Sequence, residues 1–88
     1  MRKMTRDLLE NVDQIMADAK ALYEVGASYD GWGITPSFTK YFEEHYEIET
    51  IQDDSLFGGE VMTEEQQDVY RKYTAKVGSE LLKLSFNR

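Results

Sequence analysis

The chain has no cysteine, a single histidine, a single proline, and only 10 Lys and Arg against 17 Asp and Glu in 88 residues. Without cysteine it is no disulfide-stapled scaffold. His45 alone leaves a Cys/His zinc site three ligands short. The shortage of bases, a net charge of −7, speaks against direct nucleic-acid binding, which needs a basic surface. Uninterrupted apolar runs reach only three residues, so no transmembrane helix is expected. The basic start Arg2, Lys3 and Arg6 is followed by acids from Asp7 onward rather than by an apolar stretch. No signal peptide is therefore expected, and with no cysteine the expected location is cytoplasmic.

What is present is the composition of one folded domain. Apolar residues make up 41% of the chain and aromatics 12%, too rich for a disordered acidic tail. The charge is unevenly placed. Residues 1–6 carry three bases, residues 41–68 carry ten acids and no Lys or Arg, and residues 70–88 carry five bases and one acid. An acidic middle between basic ends is a dipolar pattern.

Periodicity predicts three helices. The first spans about 6–25. Met4, Leu8, Leu9, Val12, Ile15, Met16, Ala19, Leu22 and Tyr23 fall on one arc, with Asp7, Glu10, Asp13, Gln14, Asp18, Lys20 and Glu24 outside it. Leu9, Val12, Met16, Ala19 and Tyr23 follow coiled-coil spacing. Thr5 is the expected N-cap, and Gly26 the left-handed residue that ends the helix. A loop over 26–35 precedes a second helix at about 36–47, opened by Thr35 and Pro36. Phe38, Tyr41, Phe42 and His45 form its aromatic face. Residues 48–62 read as a linker, in which 47–52 is a helix tail, an extended segment or a short strand. Thr63-Glu64-Glu65-Gln66 is a capping box opening a third helix at about 64–85. Val69, Tyr70, Tyr73, Val77, Leu81 and Leu84 form its apolar face, and Gly78 is placed opposite. The expected fold is all-α: a small bundle of two long amphipathic helices and one short central helix, completed by oligomerisation.

Few residues remain that can carry a function. No serine sits in a nucleophile elbow, and Gly31-Trp32-Gly33 lacks the spacing and the lysine of a phosphate loop. The loop Tyr29-Asp30-Gly31-Trp32-Gly33 places aromatic anchors among glycines, as at protein interfaces. Glu43, Glu44 and Glu47 form an acidic helical face able to steer a basic partner. The six tyrosines suggest wet, amphipathic contact surfaces. The basic ends (Arg2, Lys3, Arg6, Arg71, Lys72, Lys76) are placed to hold an anion if an oligomer gathers them.

Glu43, Glu44 and Glu47 also read as E-E-x-x-E, and Glu65 and Asp68 as E-x-x-D. Five hard oxygen donors on two helices suit Mg²⁺. This pattern resembles the metal motif of the all-α, MazG-like nucleoside triphosphate pyrophosphohydrolases. The resemblance covers about 26 residues, and His45, Tyr46, Gln66 and Gln67 stand where that family has apolar or small spacers. It implies Mg²⁺-dependent cleavage of a nucleotide between its α and β phosphates.

The leading expectation is a non-enzymatic acidic interaction module without a cofactor. It self-associates and binds and regulates or inhibits a basic-surfaced protein such as a nucleic-acid enzyme, in the manner of phage-type inhibitors that mimic DNA. Tyr29, Asp30, Trp32, Glu43, Glu44 and Glu47 are its expected contact residues. The Mg²⁺ pyrophosphohydrolase and an oligomeric small-anion or nucleotide binder are the alternatives.

Overall fold

Asn11 divides the first predicted helix in two. Its side chain accepts a hydrogen bond from the Gln14 N–H at 3.1 Å, and its backbone, at ψ 84°, is not helical. It is the N-cap of α1, Val12–Glu24, and the residues before it form a separate 3-10 helix, Arg6–Glu10. The helix expected to be continuous from residue 6 is thus interrupted by a short polar side chain that bonds its own backbone. Thr5 does not cap; its hydroxyl turns to Asp7 instead.

A computed structural model describes residues 2–27, 36–52 and 59–86. Tyr29, Asp30 and Trp32, and the Thr35 cap, lie outside them. In chain order the elements are β1 (Arg2–Lys3), the 3-10 helix, α1, α2 (Pro36–His45), β2 (Tyr46–Glu47), β3 (Thr50–Gln52), β4 (Glu60–Met62) and α3 (Glu64–Phe86). Helix dominates, as expected of an all-α chain, with two small strand pairs added. Met4 meets Gln66 and Asp18 meets Tyr73, so α1 and α3 run side by side in the same direction.

The end of α1 follows its sequence signal. Gly26 has φ +77°; its N–H donates to the Tyr23 carbonyl at 3.1 Å and the Ala27 N–H to the Leu22 carbonyl at 3.0 Å, a Schellman closure. A Cβ on Gly26 would meet nothing within 4 Å, so only backbone strain opposes a side chain there. Gly26→Ala is expected to lower stability by about 1 kcal/mol. Thermal denaturation reads this as a drop of about 4–8 °C in Tm. Pro36 opens α2 as expected. Thr63 caps α3, its Oγ1 accepting from the Gln66 N–H at 3.1 Å. The Gln66 side chain does not complete the capping box. Its Nε2 donates to the Met4 carbonyl at 3.0 Å, and its Oε1 accepts from the Glu49 N–H at 2.8 Å. One buried amide thereby ties three stretches of chain together.

The short strands were the least legible elements. α2 ends at His45, whose Nδ1 donates to the Tyr41 carbonyl at 2.8 Å, and Tyr46–Glu47 leaves the helix to pair in parallel with β1, Arg2 opposite Tyr46 and Lys3 opposite Glu47. The predicted linker contains an antiparallel pair, β3 with β4, with Thr50 opposite Met62, Ile51 opposite Val61 and Gln52 opposite Glu60. The partner of β3 lies outside any local pattern, which is why 47–52 read as ambiguous.

The core gathers Leu8, Ile15, Ala19 and Leu22 with Phe38, Phe42, Tyr46, Val69, Tyr73, Val77 and Leu81. Phe42 sits at its centre, with ring centroids of Phe38 at 5.1 Å, Tyr46 at 5.8 Å and Tyr73 at 5.9 Å. Gly78, placed opposite the apolar face of α3, is buried.

The buried stripe of α1 is Ile15, Asp18, Ala19 and Leu22, rotated about a quarter turn from the expected seam. Val12 and Met16, expected in that seam, remain 66% and 41% exposed. Asp18, expected on the polar side, is 3% exposed. Its Oδ1 accepts from the Tyr41 hydroxyl at 2.8 Å and the Gln14 amide at 3.2 Å, and its Oδ2 from the hydroxyls of Tyr46 and, at 2.5 Å, Tyr73. Donors from α1, α2, β2 and α3 converge on one carboxylate. Among the described residues no buried side-chain polar atom lacks a partner. Three of the six tyrosines, whose number suggested wet contact surfaces, turn their hydroxyls inward to Asp18.

Candidate functional site

Four segments in and beside the acidic middle fold around a groove of about 590 Å³. α2 supplies Thr39 and Glu43, the stretch from Ile48 through β3 supplies Ile48 and Thr50, β4 supplies Glu60, Val61 and Met62, and the start of α3 supplies Gln67 and Tyr70. The floor is apolar: Ile48 and Met62 are half-buried against the core, and Tyr70 packs edge-on against Phe42 at 6.2 Å. Burial holds the Tyr70 phenol above its ordinary range, and the charge of Glu43 adds to this. The Tyr70 hydroxyl is therefore neutral at physiological pH. Among the described lining residues the only charged side chains are Glu43 and Glu60. A cationic side chain with an aliphatic stem fits such a site: stem on Ile48, Val61 and Met62, head at a carboxylate.

The remaining acids of the middle segment are placed differently. Glu44 is 3.9 Å from Lys40, a surface pair of little strength. Glu47 lies on β2 in register with Lys3, not on the face of α2. Glu65 receives Arg6 through two bonds, Nε to Oε1 at 2.8 Å and Nη2 to Oε2 at 2.7 Å. Asp68 is reached by Arg6 at 3.0 Å, Lys72 at 3.0 Å and Arg71 at 3.2 Å. The Arg6 hydrogen bond lowers the Glu65 pKa, and Lys72 followed by Arg6 lowers that of Asp68. The basic ends thus fold back onto part of the acidic middle and neutralise it locally.

This placement corrects one expectation and bears on a second, which depends on an oligomer. Glu43, Glu44, Glu47, Glu65 and Asp68 are not assembled as one ligand set: among the described residues no three His, Asp or Glu side chains are grouped to hold a metal ion. The physical reasons are the end of α2 at His45, which removes Glu47 from the helix, and the cations that occupy Glu65 and Asp68. The second concerns the anion site. Of its six bases, Arg6, Arg71 and Lys72 are paired with acids of the same chain. The groove itself was missed from sequence, since Ile48, Thr50, Glu60 and Val61 meet only through β3–β4 pairing. The partial alternation over 47–52 was the one available signal.

No protein-family model, no curated protein and no solved structure matches the chain. The likeness to the pyrophosphohydrolases therefore rests on motif spacing alone. Among the described residues no helix is long and apolar enough to cross a membrane.

Proposed function

We propose that the chain is a small, non-enzymatic interaction module that captures a basic segment of a protein partner in the groove between α2, β3–β4 and α3. The observation that carries this reading is the groove's make-up: an apolar floor with two charged lining residues, both acids. Glu44, Glu49 and Glu64 are exposed on the elements that border it and extend the negative field toward the approaching partner. A basic-surfaced nucleic-acid enzyme, bound and regulated or inhibited by an acidic face that stands in for phosphates, is the partner class this chemistry fits. Self-association is the other half of the reading: Val12 and Met16, left exposed on α1, offer a surface for a second copy.

The test is fluorescence anisotropy with short peptides that alternate Arg with Leu, or Glu with Leu. The Arg-Leu peptide binds and the Glu-Leu peptide does not. Glu43→Lys combined with Glu60→Lys weakens binding by about tenfold or more at low salt, and the difference shrinks as salt screens the charges. Equal binding of both peptides, or no effect of the double reversal at any salt concentration, would sink the proposal.

A further inference from the structure

The outward face of α1 borders a second hollow. Met16, Ala17, Tyr23 and Leu84 line its volume of about 490 Å³, with the charged side chains of Asp13, Lys20 and Glu24 around it. Neither Asp13 nor Lys20 forms an ion pair with a described residue, although Lys20 lies one turn from Glu24 on the same helix. The two charges are seven residues apart, two turns of α-helix and about 10 Å along one stripe.

That spacing is self-complementary in one direction only. A two-fold axis through the midpoint of the pair passes between Met16 and Ala17. An antiparallel copy of α1 related by that axis sets each Asp13 against a Lys20 and each Met16 against an Ala17, a large side chain over a small one. A parallel copy in register would set Asp13 against Asp13 and Lys20 against Lys20, a like-charge arrangement that costs rather than stabilises.

We infer that two copies of this chain associate through antiparallel packing of α1 on α1, centred between Met16 and Ala17 and closed by two reciprocal Asp13–Lys20 ion pairs. The contact is isologous, so it closes at a dimer and does not propagate. It rests on the reading of α1 as a contact between copies and adds its direction and register. No residue that lines the groove lines this hollow.

The experiment is sedimentation equilibrium on the full chain as wild type, Asp13→Lys and Lys20→Glu, with circular dichroism confirming the helices in each. Both positions are exposed, so neither variant disturbs the core. Wild type dimerises. Each variant alone faces like charge at both pairs, and its dimer dissociation constant rises by about tenfold or more. The two variants mixed in equal amounts form a heterodimer with both pairs restored, and so does the chain carrying both substitutions, each with a dissociation constant within about threefold of wild type. A wild type that stays monomeric overturns the α1 contact altogether. A wild-type dimer that Met16→Asp breaks, but that the chain carrying both charge substitutions fails to match, overturns the antiparallel register alone.

Discussion

Asp18→Ala lowers the stability of the chain by about 3–5 kcal/mol, the range for removing one partner of a buried charged network. The size follows from what is left behind. Tyr46 and Tyr73, 3% and 0% exposed, lose their acceptor; they keep each other, hydroxyl to hydroxyl at 3.2 Å, and Tyr46 keeps its bond to Gln14. Tyr41 is half-buried and can recover a water. A domain of this size has about 5–15 kcal/mol in total, so the variant melts well below wild type or fails to fold at room temperature. Asp18→Asn keeps one acceptor oxygen but sets an amide N–H₂ among hydroxyl donors, and falls between the two. Asp18→Leu with Tyr46→Phe and Tyr73→Phe removes both sides of the network and recovers part of the loss. Denaturant titration of the four proteins checks the order. An Asp18→Ala variant as stable as wild type would show that the cluster does not hold the elements together.

The same cluster gives the chain a steep alkaline limit. Burial, then the bond to Asp18, pushes the Tyr46 phenol from 10.0 up to about 12, and the same two causes raise Tyr41 and Tyr73. A phenol whose pKa is higher folded than unfolded favours the folded state fully below the unfolded value. That contribution is lost as pH rises through the folded value. The window for Tyr46 therefore opens at pH 10.0 and is spent near 12. In the folded state each phenolate beside the Asp18 carboxylate opposes the next, so the three ionise together only when unfolding exposes them, and that makes the transition cooperative. Tyrosinate absorbance followed together with circular dichroism is expected to rise in two stages, the accessible tyrosines first and the buried set together with loss of helix. Titration of all tyrosines in one step near 10, with the helices intact, would contradict this.

Local signals and long-range ones separate cleanly in this chain. Gly26, Pro36 and Thr63 mark helix ends through chemistry confined to a few neighbouring residues, and the structure uses all three. The apolar face of α3 was legible because its pattern is narrow. That of α1 was legible only in part: Ile15, Ala19 and Leu22 are buried as expected, but the arc is broad enough to pack in two orientations, and Asp18 takes the place expected for Val12 and Met16. The groups that favour burying Asp18 are Tyr41, Tyr46 and Tyr73, 23 to 55 residues away. Nothing within α1 distinguishes Asp18 from a solvated acid except its position three residues after Ile15 and four before Leu22. Strands of two or three residues carry too little pattern to announce their partners. The acidic middle was visible as a charge count. Which acids remain unpaired depends on where Arg6 returns, and that is a property of the fold.

The proposed capture of a cationic, apolar segment between Glu43 and Glu60 is open to backbone amide chemical-shift mapping with the Arg-Leu peptide. The expected footprint covers Thr39, Glu43, Ile48, Val61, Met62 and Tyr70 and disappears when Glu43 and Glu60 are both replaced by Lys. A footprint centred on Glu65 and Asp68 or on the outward face of α1, or one that survives the double replacement, would contradict it.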